Sequence, residues 1–183
     1  LSDTRGRGRR QQHAQIISCD GVQLPYLGQL LGVRLDPAEP VAGRLVALPD
    51  ALPTLHLGLP ASASPQQMRD AVQAWLGRSA RAHFTQRLEH FAPSMGVRWQ
   101  RLALTNARTR WGSARSDGSI RLNWRLMHFA PEVLDYVVVH ELAHLRVMDH
   151  SPRFWAEVAA VLPNYAQLRR RLREETAPSW EDR

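Results

Sequence analysis

The sequence has little of two features that often decide where a protein works. It contains a single cysteine, Cys19, which cannot form an internal disulfide, so the fold does not depend on an oxidising compartment. It also has no apolar stretch near the about 20 residues that a helix needs to cross a bilayer, which excludes a helical membrane span. Both absences are typical of a cytoplasmic protein, and we expect that location.

Lysine is absent from the sequence, so all 24 basic residues are arginines, and against 17 acidic residues they give a net charge of +7. Much of this charge lies in two runs, RGRGRR at residues 5–10 and RRRLR at residues 169–173. Such runs can contact phosphates in a salt-dependent way, although most form solvated surface. We expect residues 1–12 to be a disordered basic tail, and any contact with nucleic acid through the two runs to be weak.

The length of 183 residues and the 44% share of hydrophobic residues predict one domain with one core. We place this domain at residues 13–176, followed by a tail at residues 177–183. Residues 13–63 should be β-rich, because Asp20-Gly21 lies between two apolar runs, as in a hairpin, and apolar pieces at 45–48 and 55–59 alternate with prolines. Residues 64–92 should form a long helix that starts at Ser64-Pro65 and ends near Pro93.

The remaining part, residues 97–176, changes from strand patterns to helix patterns. Strands are predicted at 97–104, 107–114 and 119–126, the last two joined by a hairpin turn at Asp117-Gly118. In the last strand apolar residues alternate with Arg121, Asn123 and Arg125, which indicates one buried and one exposed face. Helices should follow at 131–147, 152–163 and 164–175. The first of these is apolar on nearly every side, which is typical of a buried central helix.

Three residues that a core would avoid, His140, Glu141 and His144, lie in this buried helix with the spacing HExxH. Side chains four residues apart lie on one face of a helix, so both imidazoles can reach one metal ion. Glu141 projects beside them and can act on a water molecule without binding the metal. Burying these three groups as ordinary core residues would cost free energy without compensation, so the motif predicts a metal site.

A catalytic zinc ion usually takes three protein ligands and a water molecule, so the motif needs a third ligand. His150, six residues after His144, completes an HExxHx5H pattern. Val147 occupies the position at which metzincins have glycine, and a β-branched residue resists positive φ, so this turn must be built differently. Glu157 is an alternative ligand, and Asp149 is expected to shape the turn or to hold the second nitrogen of a ligand.

The C-terminal half resembles the YgjP-like metallopeptidases, relatives of the SprT-like and WLM zincins. The resemblance is carried by RWGS at 110–113, GSIRLN at 118–123, YVVVHELAHL at 136–145, DHSPRFW at 149–155 and Pro163-x-Tyr165. Departures are Ala114, where relatives often carry cysteine, Asp149, where asparagine is common, and the proline-rich region at 36–65. None of these departures removes a ligand.

The resemblance implies a zincin-like α+β fold, in which a small mixed β-sheet packs on the active-site helix that carries HExxH, with further helices. It implies that the strand at 119–126 lines the cleft. It also implies that His140, His144 and His150 bind one zinc ion per chain and that Glu141 is catalytic.

These features predict a zinc metallopeptidase that acts on a protein or peptide substrate. Glu141 would take a proton from a zinc-bound water and pass it to the leaving amine, so no covalent enzyme intermediate is needed. An extended peptide could pair with the cleft strand, and Arg121 and Arg125 should make the rim basic, which favours acidic substrates. The donor that stabilises the oxyanion has three candidates: Tyr165, Arg110 and His128.

Other functions remain open at this point. The same metal site, with Arg108, Arg110 and Arg121 nearby, could hydrolyse a nucleotide phosphoanhydride, although the chain has no glycine-rich phosphate loop. The arginine runs, together with SprT-like relatives that work on DNA-bound proteins, favour a DNA-associated protease or binding module. A purely structural zinc site is a further alternative, but it would not need a base such as Glu141.

Overall fold

The computed structural model describes residues 20–180, which form two small sheets and four α-helices. The strands are β1 (Gln23–Tyr26), β2 (Gln29–Leu35), β3 (Gly43–Val46), β4 (Thr54–Leu57), β5 (Arg101–Thr105), β6 (Gly112–Ala114) and β7 (Ser119–Asn123). The α-helices are α1 (Pro65–Met95), α2 (Pro131–Ala143), α3 (Pro152–Val161) and α4 (Tyr165–Glu174), and a 3-10 helix (Trp124–His128) separates β7 from α2. The predicted basic tail at 1–12 lies outside the described residues.

The N-terminal sheet has the strand order β1-β2-β4-β3, with β2 and β4 parallel and the other neighbours antiparallel. The turn that joins β1 to β2 is at Leu27-Gly28, where both residues have positive φ, 47° and 83°, as a type I′ turn requires. Leucine is an unusual residue for this conformation, so the sequence does not reveal the turn. The hairpin predicted at Asp20-Gly21 has its first arm outside the described residues.

Helix α1 begins at the predicted residue because Ser64 and Gln67 form a reciprocal capping box. Ser64 Oγ accepts a hydrogen bond from Gln67 N at 3.1 Å, and Gln67 Oε1 accepts one from Ser64 N at 2.8 Å. The helix continues two residues beyond Pro93 to Met95, where Gly96, with φ of 66°, closes it. It packs against β3, β4, β5 and α2, so it connects the two sheets.

The second sheet, here called the cleft sheet, has the order β5-β7-β6. β7 is parallel to β5 and antiparallel to β6, which confirms the predicted small mixed sheet and the hairpin at Asp117-Gly118. The expectation that the strand at 119–126 lines the cleft is wrong. β7 is paired on both sides, and it is the edge strand β6 that lines the cleft.

The prediction that Asn123 lies on an exposed face of β7 is also wrong, because Asn123 is only 1% exposed. Its Oδ1 accepts a hydrogen bond from Arg125 N at 3.0 Å, and its Nδ2 donates to Ala107 O at 2.7 Å and to Arg110 O at 3.2 Å. These bonds compensate for its burial. They also cap the 3-10 helix, so the strand ends three residues earlier than predicted.

Helix α2 is the buried central helix that the sequence predicts, and it packs against α1, α3, α4 and the cleft sheet. The predicted α+β architecture, with a small mixed sheet beside the helix that carries HExxH, is therefore confirmed. The helix itself ends at Ala143 rather than near Val147. Among residues 20–180, no helix combines the length and the apolar character that crossing a membrane would require.

The C-terminal residues up to 180 pack onto the body, although the tail was expected to begin at 177. Trp180 is 5% exposed, and its Nε1 donates a hydrogen bond to His128 Nε2 at 3.0 Å. The other ring nitrogen of His128, Nδ1, donates to Pro25 O at 2.8 Å. One histidine therefore joins the C-terminal segment, the 3-10 helix and β1.

Candidate metal centre

The chain returns to the end of α2 through a tight turn. His140 lies in the last turn of α2, and His144 is the residue that follows the helix. Val147 donates its N–H to Ala143 O at 3.0 Å, and the turn contains no residue with positive φ. The prediction that Val147 excludes a glycine-type turn is confirmed, and the turn carries His150 back toward α2.

The three histidines converge on one point. Their ligand nitrogens all lie within 4.8 Å of one another, and the Nε2 atoms of His144 and His150 are 3.1 Å apart. Two nitrogens bound to one tetrahedral zinc ion at about 2.0–2.1 Å would be about 3.3 Å apart. Burial, followed by the neighbouring His144 and His140, lowers the pKa of His150, which favours the neutral imidazole that a metal needs.

The backbone fixes which nitrogen His144 presents. Its Nδ1 lies 3.1 Å from Val147 O, a carbonyl that can only accept a hydrogen bond, so the ring proton is on Nδ1 and the lone pair is on Nε2. Metal-binding histidines commonly have such an outer partner, which holds the ring and its tautomer. The turn after α2 therefore both delivers His150 and orients His144.

Glu141 is buried beside the histidines with one oxygen unused. The residue is 5% exposed, and its Oε1 lies 2.9 Å from His140 Nδ1. Its Oε2 is buried without a hydrogen-bond partner among the described residues. A buried acceptor without a partner is costly, and it is explained if a water molecule or a substrate group occupies the cleft. The donor set and this oxygen fit a hydrolytic zinc ion.

A cleft of about 540 Å³ opens over the three histidines. It is lined by residues 110–114 at β6, by the face of α2 that carries the motif, by Met148, and by Arg169, Leu172 and Arg173 of α4. Glu141 is the only acidic residue among them, and three arginines are present. The cleft is therefore open to an extended chain at β6 and is basic at α4.

Aromatic rings surround the histidines on the protein side. Phe154 contacts all three, with ring centroids 5.0 Å from His140, 4.4 Å from His144 and 5.0 Å from His150. The ring of Trp155 stacks on His150 at 6.0 Å and 24°. Both aromatic residues come from α3, so this helix supports the ligands without supplying one.

The structure brings some of the predicted donors to the cleft and not others. Arg110 lines it. Tyr165 lies one ring away, stacked on Trp155 at 5.2 Å and 18°. The proposal of His128 as a donor is wrong, because Pro25 O and Trp180 occupy both of its nitrogens. Burial lowers the pKa of His128 to about 4.

The alternative ligands and the predicted rim arginines lie elsewhere. Glu157 lies 3.4 Å from the guanidinium of Arg146, and Asp149 accepts a hydrogen bond from Ser151 N at 3.2 Å, so it shapes the turn as expected. Arg121 and Arg125 do not line the cleft. Arg125 instead binds Asn106, because its side chain follows the 3-10 helix rather than a strand.

Sequence reasoning missed Tyr136, Arg169 and Arg173. Tyr136 looks like one more core residue of α2, yet it lines the cleft one helical turn before His140. Burial raises its pKa to about 12, so the phenol keeps its proton. The i−4 spacing from a metal ligand could have indicated Tyr136, whereas the two arginines were hidden in a run that resembles solvated surface.

A second group of acidic and histidine side chains lies in the N-terminal sheet, formed by Asp36, Glu39 and His56. Arg44 already holds Glu39 Oε2 at 2.8 Å, and Asp36 accepts from Ala38 N at 3.0 Å and lies 3.4 Å from His56. These groups are engaged with one another, so the three histidines on and after α2 are the better metal site.

Comparisons with known proteins identify a family for this chain. The family model described as "YgjP-like, metallopeptidase domain" matches residues 3–175. Among solved structures, the metallopeptidase zymogen abylysin of Pyrococcus abyssi is similar at 24% identity and a TM-score of 0.47, over 54% of this chain and 99% of that one. The zymogen jannalysin of Methanocaldococcus jannaschii is similar at 16% identity and a TM-score of 0.45, over 50% and 94%. A search of curated proteins found no match. The family match spans every residue that lines the cleft.

Proposed function

The chain belongs to the YgjP-like metallopeptidase family, and from this premise we propose that it hydrolyses peptide bonds with one zinc ion held by His140, His144 and His150. The observation that carries the proposal is the convergence of three imidazole nitrogens beside the unpartnered Oε2 of the buried Glu141. Three neutral imidazoles are a ligand set typical of catalytic zinc.

The chemistry divides between the metal and the chain. A zinc ion bound there would act as a Lewis acid that polarises the scissile carbonyl and lowers the pKa of water to about 7. Glu141 Oε2 would accept the proton of the attacking water and return it to the leaving amine. Because Glu141 is buried and lies against His140, it needs little reorganisation to do so.

The negative charge that develops on the carbonyl oxygen needs a donor. Arg110 and Tyr136 line the cleft and can both donate a hydrogen bond there. We assign this role to the pair. Tyr165, one ring further away, would act by holding Trp155 against His150.

The edge strand β6 can hold the substrate. Arg115 N bonds Ser119 O and Asn123 N bonds Trp111 O, so the odd-numbered residues of this hairpin pair with β7. The main-chain groups of Gly112 and Ala114 therefore point away from β7, toward the open edge. An extended peptide can pair with them as an added strand and lie along the cleft.

Elemental analysis and a protease assay on the same preparations test the proposal. Untagged wild type should hold one zinc ion per chain and cleave unfolded, dye-labelled casein. His150→Ala should hold much less zinc. Glu141→Gln should hold as much zinc as wild type and cleave about 10²–10⁴-fold more slowly. His90→Ala, which changes an exposed histidine of α1, serves as the matched control and should behave as wild type.

Two results would contradict the proposal. The first is a wild type that stays free of zinc after incubation with the ion. The second is full casein cleavage by Glu141→Gln. Either result, with normal folding by circular dichroism, removes the assigned metal site or the assigned base.

A second candidate, hydrolysis of a nucleotide phosphoanhydride, has one observation in its favour, the three arginines that line the cleft. The sequence indicated Arg108, Arg110 and Arg121 for this activity, and of these three only Arg110 lines the cleft. Nucleoside triphosphates assayed beside casein would separate the two activities. For the DNA-associated alternative, residues 1–12 lie outside the described structure, and salt-dependent DNA binding with and without them is the test.

A further inference from the structure

Three arginines line the cleft without a carboxylate partner among residues 20–180: Arg110 before β6, and Arg169 and Arg173 on α4. Arg171 on the same helix differs, because two glutamates hold its guanidinium at 2.9 Å and 3.0 Å. The run at 169–173 is therefore not uniform surface. In the described part of the chain, its two arginines at the cleft have no carboxylate partner, whereas Arg171 between them has two.

This arrangement gives the cleft an uncompensated positive charge. Among residues 20–180, Glu141 is the only acidic residue that lines the cleft together with the three arginines. The three arginines are themselves exposed, so their attraction for an anion should weaken as the salt concentration rises. The fork of N–H donors on a guanidinium also matches the two oxygens of a carboxylate. The cleft therefore favours a substrate that carries an anionic group.

The ring of Trp155 contacts both the guanidinium of Arg169 and the ring of the candidate metal ligand His150. The guanidinium carbon of Arg169 lies 4.8 Å from the Trp155 ring, and that ring lies 6.0 Å from the ring of His150. Arg173 is one helical turn further, about 6 Å along α4. An extended peptide advances about 3.3 Å per residue, so the guanidinium of Arg169 lies within about three residues, and that of Arg173 within about five, of a peptide bond at the histidines.

We propose that Arg169 and Arg173 form a specificity subsite for a carboxylate of the peptide substrate, within about five residues of the scissile bond. The substrate class is thus acidic peptides. This inference rests on the proposed peptidase function. The carboxylate can belong to a glutamate or aspartate side chain or to the C-terminus of the substrate, and the test separates these two sources.

The test uses quenched fluorescent decapeptides of alanine, leucine and glutamine. One peptide has no acid and an amidated C-terminus. Others place a single glutamate at one of five positions on either side of the cleavage site, and another has a free C-terminal carboxylate at the same distance. The proteins are zinc-loaded wild type, Arg169→Gln and Arg173→Gln. Arg170→Gln changes an exposed neighbour that does not line the cleft, and it is the matched control.

At least one acidic peptide should have a kcat/KM about tenfold or more above that of the neutral peptide, because hydrogen bonds to charged groups contribute this much. The ratio should fall towards one in Arg169→Gln and Arg173→Gln and persist in Arg170→Gln, with equal zinc content in all four proteins. A preference lost on amidation would place the C-terminus of the substrate in the subsite. Equal cleavage of acidic and neutral peptides by wild type would overturn the proposal, as would a preference that survives both variants.

A binding measurement separates failure of the subsite from failure of the proposed function. The anisotropy of the same labelled peptides is measured with zinc-loaded Glu141→Gln, alone and combined with Arg173→Gln. Tighter binding of the acidic peptide, lost in the double variant, supports the subsite even if wild type cleaves no peptide. Equal Kd values for both peptides overturn it. Hydrolysis of a nucleoside triphosphate with the same dependence on Arg169 and Arg173, without peptide selectivity, would place a phosphate there and overturn the assignment to peptides.

Discussion

At the scale of single residues, Gly112 shows how closely β6 approaches the candidate base. A Cβ atom at this position would lie 3.0 Å from Glu141 Cγ and 3.0 Å from Arg121 O. Both distances are shorter than ordinary van der Waals contacts. Because Arg121 O belongs to the central strand of the cleft sheet, the side chain of Glu141 is the group that has to move.

We predict that Gly112→Ala displaces the carboxylate of Glu141 and lowers kcat about 10- to 100-fold, because displacements of less than about 1 Å are costly in catalysis. Zinc content should stay at the wild-type value, since no ligand is touched. Gly77→Ala is the control. A Cβ there meets no atom within 4 Å, and alanine in place of glycine within a helix should leave activity unchanged and add up to about 1 kcal/mol of stability. Unchanged kcat in Gly112→Ala would contradict the prediction.

The site residues that could be predicted from the sequence are those whose positions depend on spacing along one helix or one turn. HExxH predicts that His140 and His144 share a face, and the structure brings His150 to them as expected. Gly112 could not be predicted in this way. Its role depends on how β6 and α2 approach each other, and a glycine in the sequence carries no sign of that contact.

At the scale of elements, the cleft is lined by β6 rather than by the expected strand β7. The alternation of apolar and polar residues at 119–126 predicts a strand with one buried and one exposed face, and the family resemblance implies that this strand lines the cleft. That pattern reports burial, and β7 is buried because it lies in the middle of the sheet. The strand with an open edge, β6, has three residues of intermediate burial and no pattern, so its exposure to the cleft is visible only in the strand order.

The open edge of β6 gives a prediction for the backbone. Ala114→Pro removes an N–H that points away from β7, so the sheet should stay intact, because proline is tolerated at a strand edge. The KM for an extended peptide should rise about five- to tenfold, which corresponds to the loss of one hydrogen bond. Zinc content and melting temperature should change little.

Ser113→Pro is the matched comparison, because the N–H of Ser113 points toward β7 within the same hairpin. This variant should lower the melting temperature by several degrees, since it breaks a ladder bond. Equal KM values for wild type and Ala114→Pro would show that the substrate does not pair with this edge.

At the scale of the whole molecule, His128 joins parts of the chain that are far apart in sequence. Its two ring nitrogens bind Pro25 of β1 and Trp180 near the C-terminus, and its ring stacks on that of Trp180 at 5.9 Å. Both bonds require the neutral ring with one proton on Nδ1. The contact was not predictable, because the sequence offers only an isolated histidine and a tryptophan in an expected tail.

This contact predicts a dependence of stability on pH. The pKa of His128 falls from 6.5 to about 4 on folding, so the unfolded chain binds a proton between these values that the folded chain does not. The contribution is complete above pH 6.5 and is lost as the pH falls toward 4. The free energy of unfolding should therefore fall by about 2 kcal/mol between pH 7.5 and pH 5 on account of this residue.

Urea denaturation of metal-free wild type and His128→Gln at several pH values measures this effect. The variant cannot titrate at this position, so its stability should fall less over the same range, by about the amount given above. The remaining histidines contribute equally to both proteins. Identical pH dependence of the two proteins would contradict the assignment.

The broad architecture could be predicted because local signals agree with it. The helix start at Ser64-Pro65, the turn at Asp117-Gly118 and the apolar surface of α2 each act over a few residues, and each occurs as expected. The order of strands in the two sheets could not be predicted, because it depends on contacts between distant segments. For the same reason the arginines of α4 were interpreted as surface, although two of them line the cleft.

The length of β6 has a consequence for the state in which a substrate arrives. Three residues offer about 10 Å of backbone, which is enough for a short free strand but cannot accommodate a helix or a strand already paired in its own sheet. A native protein would have to unfold locally before it could be cut. Damaged or newly made chains are already unfolded. The enzyme would therefore distinguish them from intact proteins by their accessible backbone, before any specificity for side chains applies.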